Sequence, residues 1–464
     1  MVVRLPLLTA AFVLAACASA PAPRIIAGDE PVTAFTNVRL ITEYGGERLG
    51  HHTVVVRGDR IIAIAPDRRI ALPDDALVID GAGRLLAPGI ADMHAHFQDP
   101  GAGPLFLANS ITTVRNPSGG DTVPALIAQI ARGEVPGPFM YSSGRLIDGA
   151  GSFWGAQVVA ETVEAVRTRV REDAAAGYHA IKLYNRLTPD QFAAGVDEAR
   201  ASGLQVYAHV PDSMTIEQVL AQRIDSVEHL DGFDRSLGGE GHWPAQRWAT
   251  ARQDRFAALA RLAAASNVWQ APTLIVQVAP ARAFADLAAA EAAPELRYAD
   301  ASLLEFWRSY IAHAPTGTDF AARHRLTQQG HAQRLAMLRA LREANAPLLI
   351  GTDTPNPYVM YGFSIHEEFG YFREAGFTNV QILRIATLDA ARALGEAGAF
   401  GIVREGARAD LLLLEDDPEA DLSTLRTPAG VMAAGRWYDR AALDSLLADS
   451  AARAAASRAD PPPP

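Results

Sequence analysis

The 464-residue sequence contains one cysteine, Cys17, which excludes an intramolecular disulfide, a cysteine-built zinc cluster and an iron–sulfur site. It is equally poor in lysine: Lys182 stands alone, and every other basic residue among the 42 is arginine. Positive charge is in deficit too. With 42 basic against 53 acidic side chains, the formal net charge of −11 leaves no electrostatic footprint for nucleic acid. Beyond residue 16, no run is long and apolar enough to span a bilayer. What the chain does have is core material, since 49% of its residues are hydrophobic and 20% charged, the balance of a soluble globular body. Its length suits one large α/β domain with a smaller satellite.

The first residues read as an address. Residues 1–4 form a short basic lead and residues 5–16 an apolar run of signal-peptide length. That run ends in Leu14-Ala15-Ala16-Cys17, which resembles a bacterial lipobox, with the lone cysteine where the motif needs a thiol. The resemblance implies cleavage after residue 16, acylation of Cys17 and membrane attachment through that lipid alone. Ala18 in place of aspartate implies sorting to the outer membrane, on its periplasmic face in a bacterial envelope. Residues 17–33 then form a tether, and residues 441–464 a C-terminal helix and disordered tail.

Short strand patterns fill residues 34–88, among them Asn37-Val38-Arg39-Leu40-Ile41 and the pair Thr53-Val54-Val55-Val56-Arg57 and Arg60-Ile61-Ile62-Ala63-Ile64, joined by Gly58-Asp59. The same texture returns only in residues 401–440, with Leu411-Leu412-Leu413-Leu414 and Gly430-Val431-Met432. Neither segment can build a core alone, so the two are expected to pair into one small β-sandwich domain.

Between them, over residues 89–400, apolar strands alternate with helical stretches. The strand patterns cover residues 89–96, 111–116, 139–146, 180–184, 205–210, 226–230, 268–274 and 347–353. Eight such units predict a (β/α)8 barrel. Capping boxes mark three helix starts: Thr188 with Gln191, Thr215 with Gln218 and Thr378 with Gln381. Residues 232–267 and 277–345 exceed plain barrel connections and are expected to fold over the barrel mouth.

Chemistry-bearing residues sit at the strand ends. His94 and His96 close the first strand, and alternation places both imidazoles on one face as a chelating pair. Lys182 ends the fourth strand, His209 the fifth, His229 the sixth and Asp353 the eighth. Six polar side chains at C-terminal strand ends point to where barrel enzymes keep their sites, and imidazoles with a carboxylate suit zinc or a similar divalent ion. A lysine beside a cation makes sense if its neutral amine takes up carbon dioxide to give an anionic carbamate. Arginine cannot do this, because its guanidinium stays protonated.

The segment Leu86-Ala87-Pro88-Gly89-Ile90-Ala91-Asp92-Met93-His94-Ala95-His96 resembles the opening signature of the amidohydrolase superfamily. Lys182, His209, His229 and Asp353 match its binuclear, carboxylated-lysine branch. Thr112-Thr113-Val114-Arg115 and Glu405-Gly406-Ala407-Arg408-Ala409-Asp410-Leu411 are similar to segments of imidazolonepropionase-like and Xaa-Pro dipeptidase-like members. The resemblance implies two divalent ions, one held by His94, His96, carboxylated Lys182 and Asp353, the other by the same carbamate with His209 and His229. It further implies a bridging hydroxide, with Asp353 taking its proton and delivering it to a leaving nitrogen.

Tyr184, two residues beyond Lys182, either donates to the developing oxyanion or packs at the rim. His366 either edges the site or lies on a helix surface. Trp154, Trp243 and Trp248 line the pocket or pack loops. Two departures from the family stand out: Arg115 is followed by Asn116 rather than aspartate, and residues 149–154 lack the histidine that dipeptidase-like relatives often carry. The expected function is metal-dependent hydrolysis of an amide, in an N-acyl amino acid or dipeptide-like small molecule. The alternatives are an ester, lactone or cyclic amide cleaved by the same centre, or a metal-free surface lipoprotein. Oligomeric state, homo-oligomer included, stays open.

Overall fold

In a computed structural model, the structure describes residues 30–152, 158–312 and 319–460, together with the short strand Arg24–Ile25. Cys17, the signal-like lead, Trp154 and residues 461–464 lie outside the described residues. Among the described residues, no helix is long and apolar enough to cross a membrane.

The strands that organise the molecule are, in chain order, β1 (Val32–Ile41), β2 (Arg48–Arg57), β3 (Arg60–Pro66), β4 (Leu77–Asp80), β5 (Leu85–Pro88), β6 (Ile90–Asp92), β7 (Ile111–Asn116), β8 (Phe139–Asp148), β9 (Ala180–Leu183), β10 (Gln205–Ala208), β11 (Ser226–Glu228), β12 (Trp269–Ala271), β13 (Leu411–Leu414), β14 (Gly430–Ala433) and β15 (Arg436–Asp439). Strands β1–β5 and β13–β15 form one sheet, ordered β15-β14-β13-β5-β1-β2-β3, with β4 also on β1. The two arms meet where Leu411–Leu414 runs antiparallel to Leu85–Pro88. The two arms share one continuous hydrogen-bonded sheet, which curls so that its parts pack face to face as the expected small β domain. Phe35 of β1 and Trp437 of β15 stand four strands apart in that order, yet their rings are 5.0 Å apart. Ile61 donates its N–H to Ala407 and Ala409 to Asp59, tying the β2–β3 hairpin to the C-terminal arm. Val38, Val54, Leu411, Leu413 and Met432 fill the interior, drawn from both arms as the alternating patterns require.

Strands β6 to β12 follow one another as parallel neighbours. The eighth expected strand is not regular. Residues 347–354 instead form an extended bridge, accepting from Gln270 and donating back to it through Leu349, while Met93 donates to Ile350 and Thr352 to His94. These bonds to β12 on one side and to the chain after β6 on the other close the barrel. Helices such as Val163–Ala175, Pro189–Ala201 and Ile365–Glu374 cover its outside. All three capping boxes form, each threonine hydroxyl accepting from the glutamine backbone and each glutamine side chain accepting in return. The C-terminal helix Arg440–Ala459 buries Leu443 and Ala454, and through Arg458 it bonds the Ala299 carbonyl.

Candidate metal centre

The C-terminal ends of the barrel strands open into a cavity of about 460 Å³. His94, His96, Lys182, His209, His229, Asp353 and Tyr184 all line it. A larger open depression of about 830 Å³ lies at the other end, where Gln205 and Trp269 begin their strands. It contains none of the expected site residues, so the chemistry selects the smaller cavity.

His94 and His96 sit on one face, as alternation requires. Their Nε2 atoms lie 3.2 and 2.7 Å from Asp353 Oδ1. His94, His229 and Asp353 offer ligand atoms within 4.8 Å of one another. The His209 and His229 rings stand 4.7 Å apart. Two of these positions depend on unusual backbone: φ is +63° at His229 and +61° at Asp353. Simple alternation would turn His229 away from the side that Glu228 faces. The left-handed turn brings it back, so that Glu228 and His229 both reach His94.

An oxygen holds the Nδ1 of three of the imidazoles: Glu228 Oε2 at 2.5 Å from His94, Asn185 Oδ1 at 2.9 Å from His209 and Thr273 Oγ1 at 2.6 Å from His229. In each ring, Nδ1 is committed to the protein and Nε2 is left for a ligand, the usual arrangement around a metal-binding histidine. With Nδ1 against Glu228, His94 Nε2 is the ring atom that faces the Asp353 carboxylate. Burial pushes His209 well below its usual range and His229 down to about 3, which keeps both rings neutral, as ligands must be.

Lys182 is 1% exposed, and its Nζ has no hydrogen-bond partner among the described residues. Burial lowers the amine to about 8 despite the nearby Glu228 charge. An orphaned, readily deprotonated amine facing imidazoles and a carboxylate fits a group waiting to be carboxylated and bound to cations. At Asp353, burial acts to raise the carboxyl, but His229, His94 and His96 outweigh it and hold it well below the usual carboxylate range.

Sequence reading missed the supports. Glu228 is fully buried and accepts from Arg115 Nη2 at 2.8 and 2.9 Å. Arg115 Nη1 bonds Ser226, and its guanidinium lies 4.3 Å from the Tyr207 ring centroid. The sequence offered a faint signal for Glu228, a charged residue ending a strand pattern directly before His229. For Asn185 and Thr273 the sequence carries no such signal. Tyr184 lies in the cavity with its ring 4.1 Å from that of His209. His366 is not gathered in: it is buried, its Nε2 is 3.0 Å from Asn109 Oδ1, and it does not line the cavity. Its position early in the helix Ile365–Glu374 turns it toward the helix Gly103–Ala108 and the Asn109 that caps it, rather than toward the strand ends. The two long connections do roof the cavity, through Trp248, Gln277, Tyr310 and Arg334.

A parallel barrel with a cluster of histidines, a buried lysine and an aspartate at its C-terminal end belongs to the class of barrel proteins built to hold divalent cations. The sequence profile of the amidohydrolase family matches residues 85–438, and the chain belongs to that family. Among solved structures, it is similar to bottromycin amidohydrolase, 24% identical over 91% of this chain and 90% of that one, with a TM-score of 0.72. It is also similar to a prolidase complexed with N-methylphosphonate-L-proline, 21% identical over 88% of this chain and all of that one, TM-score 0.65. Likenesses this distant show the fold. The dihydroorotase of Mycobacterium tuberculosis is 43% identical over 65 residues, only 14% of the length of either protein.

Proposed function

We propose that this chain is a metal-dependent hydrolase that cleaves an amide bond in a small molecule of the N-acyl amino acid or dipeptide type. The observation carrying this reading is the trio of imidazoles fixed through Nδ1 around a buried, unpartnered lysine amine. The neutral Lys182 Nζ would attack carbon dioxide, forming a nitrogen–carbon bond as one C=O π bond opens onto oxygen, and the proton lost from nitrogen would pass to solvent, giving an N-carboxylate with two oxygens. His94, His96, the carbamate and Asp353 would hold one divalent ion, and the carbamate, His209 and His229 a second. When bound, such ions make a water acidic enough to ionise near neutral pH and polarise a carbonyl.

The protein's own groups do the rest. Asp353 keeps its carboxylate ionised, takes the proton given up by the attacking water and passes it to the leaving nitrogen. The Tyr184 phenol, on the cavity wall beside His209, donates to the oxygen that gains negative charge. Glu228 and Arg115 hold His94 in one tautomer while the proton moves.

The test is Lys182→Arg, which keeps charge and approximate length but cannot form a carbamate. Metal content should fall below two ions per chain, and turnover of a panel of N-acyl amino acids, dipeptides, cyclic amides and esters should drop by at least about a hundred-fold. Small carboxylic acids should partly restore Lys182→Ala by filling the gap. Full activity in the arginine variant removes the lysine from the chemistry.

A further inference from the structure

Arg334 projects from the helix Phe320–Glu343, within the long connection between β12 and the closing segment, and lines the same cavity as Lys182 and Asp353. It is 2% exposed. Its Nη2 reaches Gln277 Oε1 at 3.3 Å, whereas Nε and Nη1 are buried with no hydrogen-bond partner among the described residues. Among the described residues, the guanidinium also forms no ion pair. The acidic group acting on it is Asp234, which Arg247 Nε already engages at 2.7 Å, and Arg247 brings a further positive charge. Burial pushes Arg334 down to about 10, still protonated at neutral pH. The Trp248 ring, its centroid 5.1 Å from the guanidinium carbon, supports the flat side chain and limits its orientations.

A buried cation with two unmet donors is costly unless an anion meets it, and a planar fork of donors matches the two oxygens of a carboxylate. None of the described residues supplies such an anion. A ligand entering the cavity can. We infer that Arg334 receives a free carboxylate of the substrate, so that the amide cleaved at the histidine cluster belongs to an anionic molecule held at its far end by this guanidinium. The assignment deepens the amide-hydrolase reading above and rests on it. Arg334 thereby acts as a specificity determinant supplied by the roof, while the strand ends supply the chemistry.

Matched substrate pairs test it, for example N-acetylphenylalanine and its carboxamide, on the metal-loaded wild type, Arg334→Met and Arg334→Lys. The wild type should favour the acid in kcat/KM by about a hundred-fold. Arg334→Met should lose most of that preference through a raised KM for the acid, leave the carboxamide within about three-fold, and melt near the wild-type temperature. Arg334→Lys should recover part of the preference. Two results overturn the assignment: a wild type indifferent to the carboxylate, which needs no variant to fold, or an Arg334→Met in which both substrates fall together. If the wild type cleaves no amide, the hydrolase reading fails separately, and Arg334 is then read by calorimetric binding of the same pair. Tighter binding of the acid in the wild type but not in Arg334→Met supports the anchor, and equal binding in both overturns it.

Discussion

The proposed function gives Asp353 two tasks that one substitution can separate. Its Oδ1 lies within reach of both His94 and His96, a ligand's position, and its ionised carboxylate can also take a proton. Asp353→Asn keeps an oxygen for the cation but removes the base. Turnover should fall by roughly two or more powers of ten while most of the metal stays bound, as measured on one purified sample. Loss of metal together with activity would leave Asp353 a ligand only, and retained turnover would move the base elsewhere. The six strand-end residues were legible because their chemistry clashed with apolar surroundings. Glu228, among Asp225, Ser226 and His229, gives a weaker signal of that kind. Asn185 and Thr273 do not, since polar residues just past a strand are ordinary, and only their distances to His209 and His229 give them meaning.

At the scale of elements, the closing segment departs most from expectation. Residues 347–353 were expected as a strand, yet the chain there passes so close to the one carrying His94 that only glycine fits at position 351. A Cβ on Gly351 would lie 2.6 Å from the backbone nitrogen and Cβ of His94, and backbone cannot step aside as a flexible side-chain tip can. Two residues later Asp353 enters the left-handed region, which ends any strand ladder. Gly351→Ala should therefore cost roughly 1–3 kcal/mol in denaturant unfolding and loosen metal binding, because the displaced backbone carries His94. A variant with wild-type stability and full metal content would show that the segment can shift without moving its neighbour. Helix starts, by contrast, were readable at once, since a capping box is satisfied within four residues and needs nothing distant.

Across the whole molecule, two arms more than three hundred residues apart close into one curled sheet that sits against the barrel. The roofed cavity opens at the opposite side from the 830 Å³ depression. The proposed lipid on Cys17 belongs to this scale, since it would decide where the entire body works without altering the site. Cys17→Ser should yield an enzyme with unchanged turnover that leaves the membrane fraction and fails to incorporate a labelled fatty acid. A variant still acylated and sedimenting with membranes would end the lipoprotein reading.

Sequence alone determined the parts that depend on local chemistry. These are alternation that puts His94 and His96 on one face, a lone lysine inside an apolar strand, strand and helix periods that spell a barrel, and threonine–glutamine caps. Tertiary structure alone decided which distant groups meet. Glu228 lies 134 residues from the histidine it orients, and Asp353 lies 257 residues from His96. His366 faces Asn109 instead of the cavity, and Arg334 lines the cavity with two buried donors that no described residue meets. Periodicity specifies which way a side chain faces within its own element. What stands opposite depends on how elements pack and on a few left-handed backbone turns, and neither is written in the spacing of residues along the chain.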